Sequence, residues 1–303
     1  MCCARAWLGS MLLAATAYSL VAPGSASAQD LILPEWEYEP SEDASKTRRG
    51  AGKAAEISYS FVNDTVSDAW SITKSPLGWG PKDWLWVAAL AGATTGIVYT
   101  VDSQVREAAL GSHGFEKFGD GIRPLGTGPG LVALTGGFLL AGAVLDRPKE
   151  IETARLLLEA SAIGLGFTVL GKYTIGRYRP RANRGPLAFE PFGGSVSMPS
   201  GETTSAFIMA GVIASQYPQW YWQLTAYSLA TAVGAGRVAL DAHWTSDVFV
   251  SAVLGIAVSK AVVHLNRIRI ERRRLRQGRG GKPDIQHHYF AVTPRSFRWT
   301  YIW

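Results

Sequence analysis

Apolar residues gather into six runs, at about 84–101, 130–145, 152–171, 202–216, 220–238 and 246–265, separated by short stretches of Gly, Pro and charged residues. A straight bilayer span needs about 20 apolar residues, so these runs predict membrane-crossing helices, several of them short enough to extend into their flanking turns. Residues 54–77 differ: Ile57, Phe61, Val62, Val66, Trp70 and Ile72 alternate with polar positions at helical spacing. That pattern predicts an amphipathic helix, lying on a membrane or packed on the protein's own core, before the interfacial aromatics Trp79, Trp84 and Trp86. Glycine is frequent in the runs, at 92, 96, 136, 137, 142, 164 and 166. Small residues let helices approach closely in lipid, so these positions predict tight helix contacts. The expected fold class is all-α: a six-helix membrane-embedded bundle over residues 83–266, preceded by an amphipathic or interfacial helix region at 54–82.

The ends of the chain carry a different pattern. Residues 1–28 place Arg5 before an apolar core and Ala26-Ser27-Ala28 before Gln29, the charge, length and small-residue pattern of a secretory signal peptide. Residues 29–53 are acidic and then basic, with Pro34, Pro40 and Gly50, and read as a flexible linker. Residues 267–303 form a basic segment and C-terminal tail.

Composition agrees with membrane residence: 47% of the 303 residues are hydrophobic. The net charge of +6 is a nucleic-acid signal only if it forms a reading face. Instead Arg267, Arg269, Arg272, Arg273, Arg274, Arg276, Arg279 and Lys282 crowd one segment after the last run, without interleaved aromatics, which fits a membrane flank and excludes a nucleic-acid partner. The two cysteines, Cys2 and Cys3, lie in the leader, which leaves no disulfide framework, zinc site or cysteine nucleophile downstream. The basic tail places the C-terminal end in the cytoplasm, whereas a cleaved leader places residue 83 outside; both cannot hold if all six runs span. The expectation is a bacterial-type integral membrane protein whose site faces the periplasm or exterior.

Three polar clusters sit at the ends of apolar runs. Lys172 is followed by Arg177, Arg179, Arg181 and Arg184, and Pro180 disfavours helix at Arg179. A guanidinium fork beside a lysine point charge suits a phosphate, although basic residues also flank membrane spans simply to reach headgroups. Pro199-Ser200-Gly201-Glu202-Thr203 precedes a run and can start a helix whose free amides face an anion, or serve as an ordinary cap with Ser200 as N-cap. Arg237 is followed by His243 and, four residues later, Asp247. At that spacing the carboxylate reaches one imidazole nitrogen and fixes the tautomer, which leaves the other nitrogen as a nucleophile. Asp241 is a weaker candidate for the same orienting role, and His113, in the loop between the first two runs, for a proton donor.

Taken together, these residues resemble the phosphatidic acid phosphatase type 2 superfamily. Its pattern is Lys, six residues, Arg-Pro; then Pro-Ser-Gly-His; then Ser-Arg, five residues, His, three residues, Asp. Lys172, Arg179 and Pro180 match the first motif and Arg237, His243 and Asp247 the third, with correct spacing. The resemblance implies that Lys172, Arg179 and Arg237 bind phosphate with help from Ser200 and Gly201, that His243 forms a phosphohistidine, and that Asp247 orients it. It implies no metal and no cofactor, and a lipid phosphate or diphosphate as substrate.

Two positions depart from that pattern. Gly236 replaces a serine, which removes a phosphate hydrogen bond. Glu202 replaces the histidine that protonates the leaving group. A glutamic acid serves as general acid only when kept protonated, and three neighbouring cations favour its ionised form. The expected function is therefore a membrane phosphatase weakened or substrate-restricted by Glu202. The alternatives are an impaired member that binds anionic headgroups or partners, and a lipid phosphotransferase.

Overall fold

The computed structural model describes residues 49–110 and 112–276. The signal-peptide reading of residues 1–28, most of the linker and the tail beyond residue 276 lie outside the described residues. The described residues fall into two compact units, one ending at Leu85 and the other beginning at Trp86.

In the first unit, α1 (Arg49–Lys74) begins inside the stretch read as linker and is followed by a 3-10 turn at Ser75–Gly78. Val62, Val66 and Trp70, four residues apart, form an exposed apolar stripe along α1. The helix α2 (Pro81–Thr100) starts at the end of this unit and runs into the second.

The second unit continues with α3 (Asp102–Leu110), α4 (His113–Ile122), α5 (Gly128–Val144), α6 (Pro148–Ile175), α7 (Gly201–Gln216), α8 (Trp220–Ala239) and α9 (Thr245–Arg276). The described residues thus form an all-α fold of nine helices, in which the six apolar runs appear as α2 and α5 to α9. The short helices α3 and α4 fall in the stretch between the first two apolar runs, which no run covers. By length and composition, Pro148–Ile175 and Thr245–Arg273 are able to cross a membrane alone. The pairs Pro81–Thr100 with Asp102–Leu110 and His113–Gly126 with Gly128–Val144 also qualify, but are bent by 48° and 50°.

At the centre stands α7, packed against α6, α8 and α9. Ala206, Phe207 and Ala210 of α7 meet Ala226, Ala230 and Val233 of α8 and Ala252 and Ile256 of α9 in one buried cluster. Alanine dominates this seam because helices packed closely leave little room for longer side chains. Only part of the glycine expectation holds. A side chain at Gly142 would strike Ile151 and one at Gly164 would strike Ile208, whereas Gly92, Gly96, Gly136, Gly137 and Gly166 have nothing within 4 Å of the place a Cβ would occupy. Small residues mark helix contacts only on the faces that turn inward, and composition alone does not say which faces those are.

Candidate functional site

At one end of the second unit, the C-termini of α6 and α8 meet the N-termini of α7 and α9. Four local signals bring the polar clusters there. Gly176 ends α6 with φ +60 and donates its amide to Lys172 O; a Cβ at this position would lie 1.8 Å from Glu190 O, so only glycine turns the chain here. Arg179 is extended at φ −68, ψ 152, as a residue before proline must be. Ser200 caps α7: its Oγ accepts from Thr203 N at 3.4 Å and from Thr203 Oγ1 at 2.9 Å. Finally, the turn Leu240–Trp244 delivers His243 just before α9 begins.

The site is strongly cationic. Lys172 donates to Val196 O at 2.6 Å, and the charges of Arg179, Asp247, Arg237 and Glu202 all act on its ammonium. Burial, reinforced by Arg181 beside it, pulls the Arg179 guanidinium below the ordinary arginine value. Arg237 is buried near the end of α8. His243 is 4% exposed, with Nδ1 3.6 Å from Asp247 Oδ2. That separation exceeds a hydrogen bond. Burial is the main influence on the imidazole and pushes it below the usual histidine value, while Asp247 pulls the other way.

Asp247 is held more firmly than its histidine. Arg177 donates to Asp247 Oδ1 at 2.6 Å, Ser197 Oγ donates to Oδ2, and Trp244 N donates to Oδ2 at 3.0 Å. The guanidinium of Arg177 is 0% exposed and also reaches Asp102 Oδ2 at 2.7 Å, Ser246 Oγ at 2.6 Å and Pro186 O. Asp102 in turn accepts from the backbone and hydroxyl of Ser246. One buried cation thus satisfies two buried carboxylates and locks the start of α9, the arrangement a buried charge requires.

Glu202, on the first turn of α7, has both oxygens facing arginines. Its Oε2 lies 2.6 Å from Arg237 Nε and its Oε1 lies 3.4 Å from Arg123 Nε. The closer contact falls off the hydrogen-bond direction, so it is a charge contact between two buried atoms. Arg123 stands on the 3-10 turn between α4 and α5 and supplies a further cation beside Glu202.

Several sequence candidates take other places. Asp241 binds Arg106 at 2.7 Å and does not orient His243. The His113 side chain is exposed, 3.6 Å from Glu116. Arg184 lies over the Tyr178 ring. The amide of Ser200 is taken by Ser251 Oγ at 2.6 Å and its hydroxyl by the α7 cap, so this residue is committed to the fold. Gly201 follows it as the first residue of α7. A side chain at Gly236 would come 2.7 Å from Ile122 and 3.2 Å from Gly119 Cα, because α4 crosses α8 there. Among the described residues, no three His, Cys, Asp or Glu side chains converge to hold a metal ion.

The model of the PAP2 superfamily matches residues 153–271. This segment is a PAP2 superfamily domain. It begins in α6 and ends in α9, so Asp102, Arg106 and Arg123 reach the site from outside the matched PAP2 segment. Over 111 residues the chain is 32% identical to a lipid A 1-phosphatase from Porphyromonas gingivalis, a match that covers 34% of this chain and 22% of that relative's length. It is also similar to the crystal structure of a transmembrane PAP2 type phosphatidylglycerolphosphate phosphatase from Bacillus subtilis, with a TM-score of 0.48 and 24% identity over 61% of this chain and 94% of the other.

Proposed function

We propose that the protein is a membrane phosphatase that cleaves a lipid phosphate or diphosphate through a phosphohistidine at His243. The observation that carries this reading is the pairing of His243 with an Asp247 that is itself anchored by Arg177, next to the cations Lys172, Arg179 and Arg237. In the proposed reaction the imidazole nitrogen not facing Asp247 attacks phosphorus, a P–N bond forms, and the P–O bond to the leaving group breaks. Asp247 stabilises the positive charge that develops on the ring. Water then cleaves the P–N bond, releasing phosphate and restoring His243. The three cations balance the charge on the phosphoryl oxygens throughout.

Glu202 decides which leaving groups suit this site. Both of its carboxylate oxygens face arginines and not a leaving group, so in the proposed reaction the departing oxygen takes its proton from water. A phosphoanhydride leaves without protonation more readily than an alkyl oxygen, so the geometry supports diphosphates over monoesters.

A second reading has its own observation. Glu202 already sits against Arg237 where an anion would bind, which fits a member that holds anionic headgroups without turnover.

Phosphate release by purified protein from lipid monophosphates and diphosphates, with wild type beside His243→Ala and Glu202→His, separates the two. Wild-type release that His243→Ala abolishes supports the phosphatase. Inert wild type and His243→Ala, with His243-dependent release gained by Glu202→His, supports the binding protein.

A further inference from the structure

The loop 186–196 carries four large apolar side chains to the surface: Leu187, Phe189, Phe192 and Val196, at 52%, 44%, 63% and 41% exposure. Such side chains at a floppy loop would collapse inward, yet this loop is tied down at several points. Glu190 N donates to Gly176 O at 2.7 Å, Tyr178 N to Ala188 O at 3.0 Å, and Ser197 N to Arg177 O at 2.9 Å. Phe192 N donates to Tyr173 O at 2.9 Å, and the two rings meet edge to face at 5.3 Å. Phe192 itself is held at φ +62, a left-handed conformation that a bulky residue adopts only under constraint from its surroundings. The fold thus accepts local strain to present an aromatic ring outward.

This apolar surface continues another. On α6, Leu158, Leu165, Val169 and Tyr173 are exposed at 40%, 62%, 57% and 56%. Their spacing keeps them within one face of a 3.6-residue helix, and α6 is one of the two helices able to cross the membrane alone. From Leu158 to Tyr173 the face runs about 22 Å at 1.5 Å per residue, against about 15 Å for one leaflet of hydrocarbon. The stripe ends at Tyr173, its ring against Phe192, and the next residue back is Lys172, whose ammonium is bound to Val196 O at 2.6 Å. The exposed apolar stripe and the candidate phosphate ligand are therefore joined through a single loop.

We propose that the outer face of α6 and the loop 186–196 form the binding surface for the hydrocarbon chain of the substrate, with Phe192 and Tyr173 gripping the chain where it meets the phosphate. This rests on the reading of the site as one for a lipid phosphate and adds which part of the protein selects the lipid. The chain lies along α6 on the membrane side, and the headgroup passes over the Tyr173–Phe192 pair to reach Lys172.

The test compares kcat/KM of the full chain in detergent for hexadecyl diphosphate and for methyl diphosphate, which share the reacting phosphoanhydride, the second having no chain to grip. Wild type prefers the long chain; Phe192→Ser lowers kcat/KM for hexadecyl diphosphate by roughly tenfold to a hundredfold, the worth of one buried aromatic contact, and leaves methyl diphosphate unchanged. Phe192→Leu restores most of the loss. Equal loss on both substrates, which marks a merely structural loop, overturns the proposal, and so does no loss on either, which marks contact with bulk lipid only. If wild type cleaves neither compound, calorimetric binding of hexadecylphosphonate and methylphosphonate replaces turnover. Weakening of the long phosphonate alone by Phe192→Ser then upholds the surface while the phosphatase reading falls; equal affinities in wild type and variant overturn the surface.

Discussion

Glu202 Oε2 lies 2.6 Å from Arg237 Nε, which places a carboxylate of the protein against a cation that the third motif offers to a phosphate. On the proposed reading a phosphate held by Arg237 competes with that contact, while Arg123 lies 3.4 Å from the other oxygen.

Glu202→Gln removes the competing charge, so orthovanadate, which takes the shape of the transferred phosphoryl group, binds more tightly by about tenfold, the scale of one hydrogen bond to a charged group. Inhibition or calorimetric titration checks this; unchanged vanadate affinity means the carboxylate does not occupy the phosphate's place. Glu202→His supplies a proton donor and raises turnover of lipid monophosphates by on the order of a hundred- to ten-thousand-fold, with a smaller gain for diphosphates, whose leaving group needs the proton less.

Arg177 joins two buried carboxylates, lying 2.7 Å from Asp102 Oδ2 and 2.6 Å from Asp247 Oδ1. Arg177→Leu strands both and costs about 3–5 kcal/mol of stability, the penalty for breaking a buried ion pair from one side. Thermal unfolding in detergent reads the loss. Arg177→Lys keeps the charge but not the fork and recovers part of it. A Leu variant as stable as wild type removes the network from the account of how Asp247 is held.

Gly236→Ser restores the serine of the family pattern but pushes its Cβ to 2.7 Å from Ile122. The expected outcome is a loss of about 1–3 kcal/mol from overpacking, with no gain in phosphate release. The double variant with Ile122→Ala recovers part of the stability, because the side chain that obstructs it is gone. An active and fully stable single variant would show that α4 and α8 yield to each other freely.

Burial holds the His243 imidazole below the usual histidine value, so it stays neutral and nucleophilic at pH values where an exposed histidine, near 6.5, is protonated. The acid limb of kcat/KM is therefore expected below that value. The stability effect has the same sign: the native state binds fewer protons at His243 than the unfolded chain, so this contribution is fully present above about 6.5 and is lost as pH falls through the folded value. His243→Gln removes both dependences. A pH profile with its acid limb above 6.5 contradicts the assignment of His243 as the group that must be neutral.

Much of the site was legible because both motifs lie at helix ends, where residue spacing maps directly onto geometry. His243 and Asp247 are four apart at the start of α9, and Lys172 ends α6 one turn before a glycine that cannot be replaced. Ser200 shows the limit of that logic. Its position next to α7 was visible, but that its amide goes to Ser251, from α9, was not.

By itself the sequence determined the helical runs, their membrane character and the family motifs, since each rests on local periodicity or on spacing within one or two turns. Tertiary structure alone decided which glycines touch a neighbour, that Gly236 is demanded by α4 and not simply missing a hydroxyl, and that Arg177, one of several basic residues after Lys172, is the buried one. It also brought Asp102 and Arg123 to the motifs from helices and turns far away in the chain. The physical reason is that a charge pair or a close packing contact depends on which faces meet, and faces meet only after distant helices have packed. Glu202 belongs to both levels: its departure from the motif was readable in the chain, and its position between Arg237 and Arg123 came from the fold.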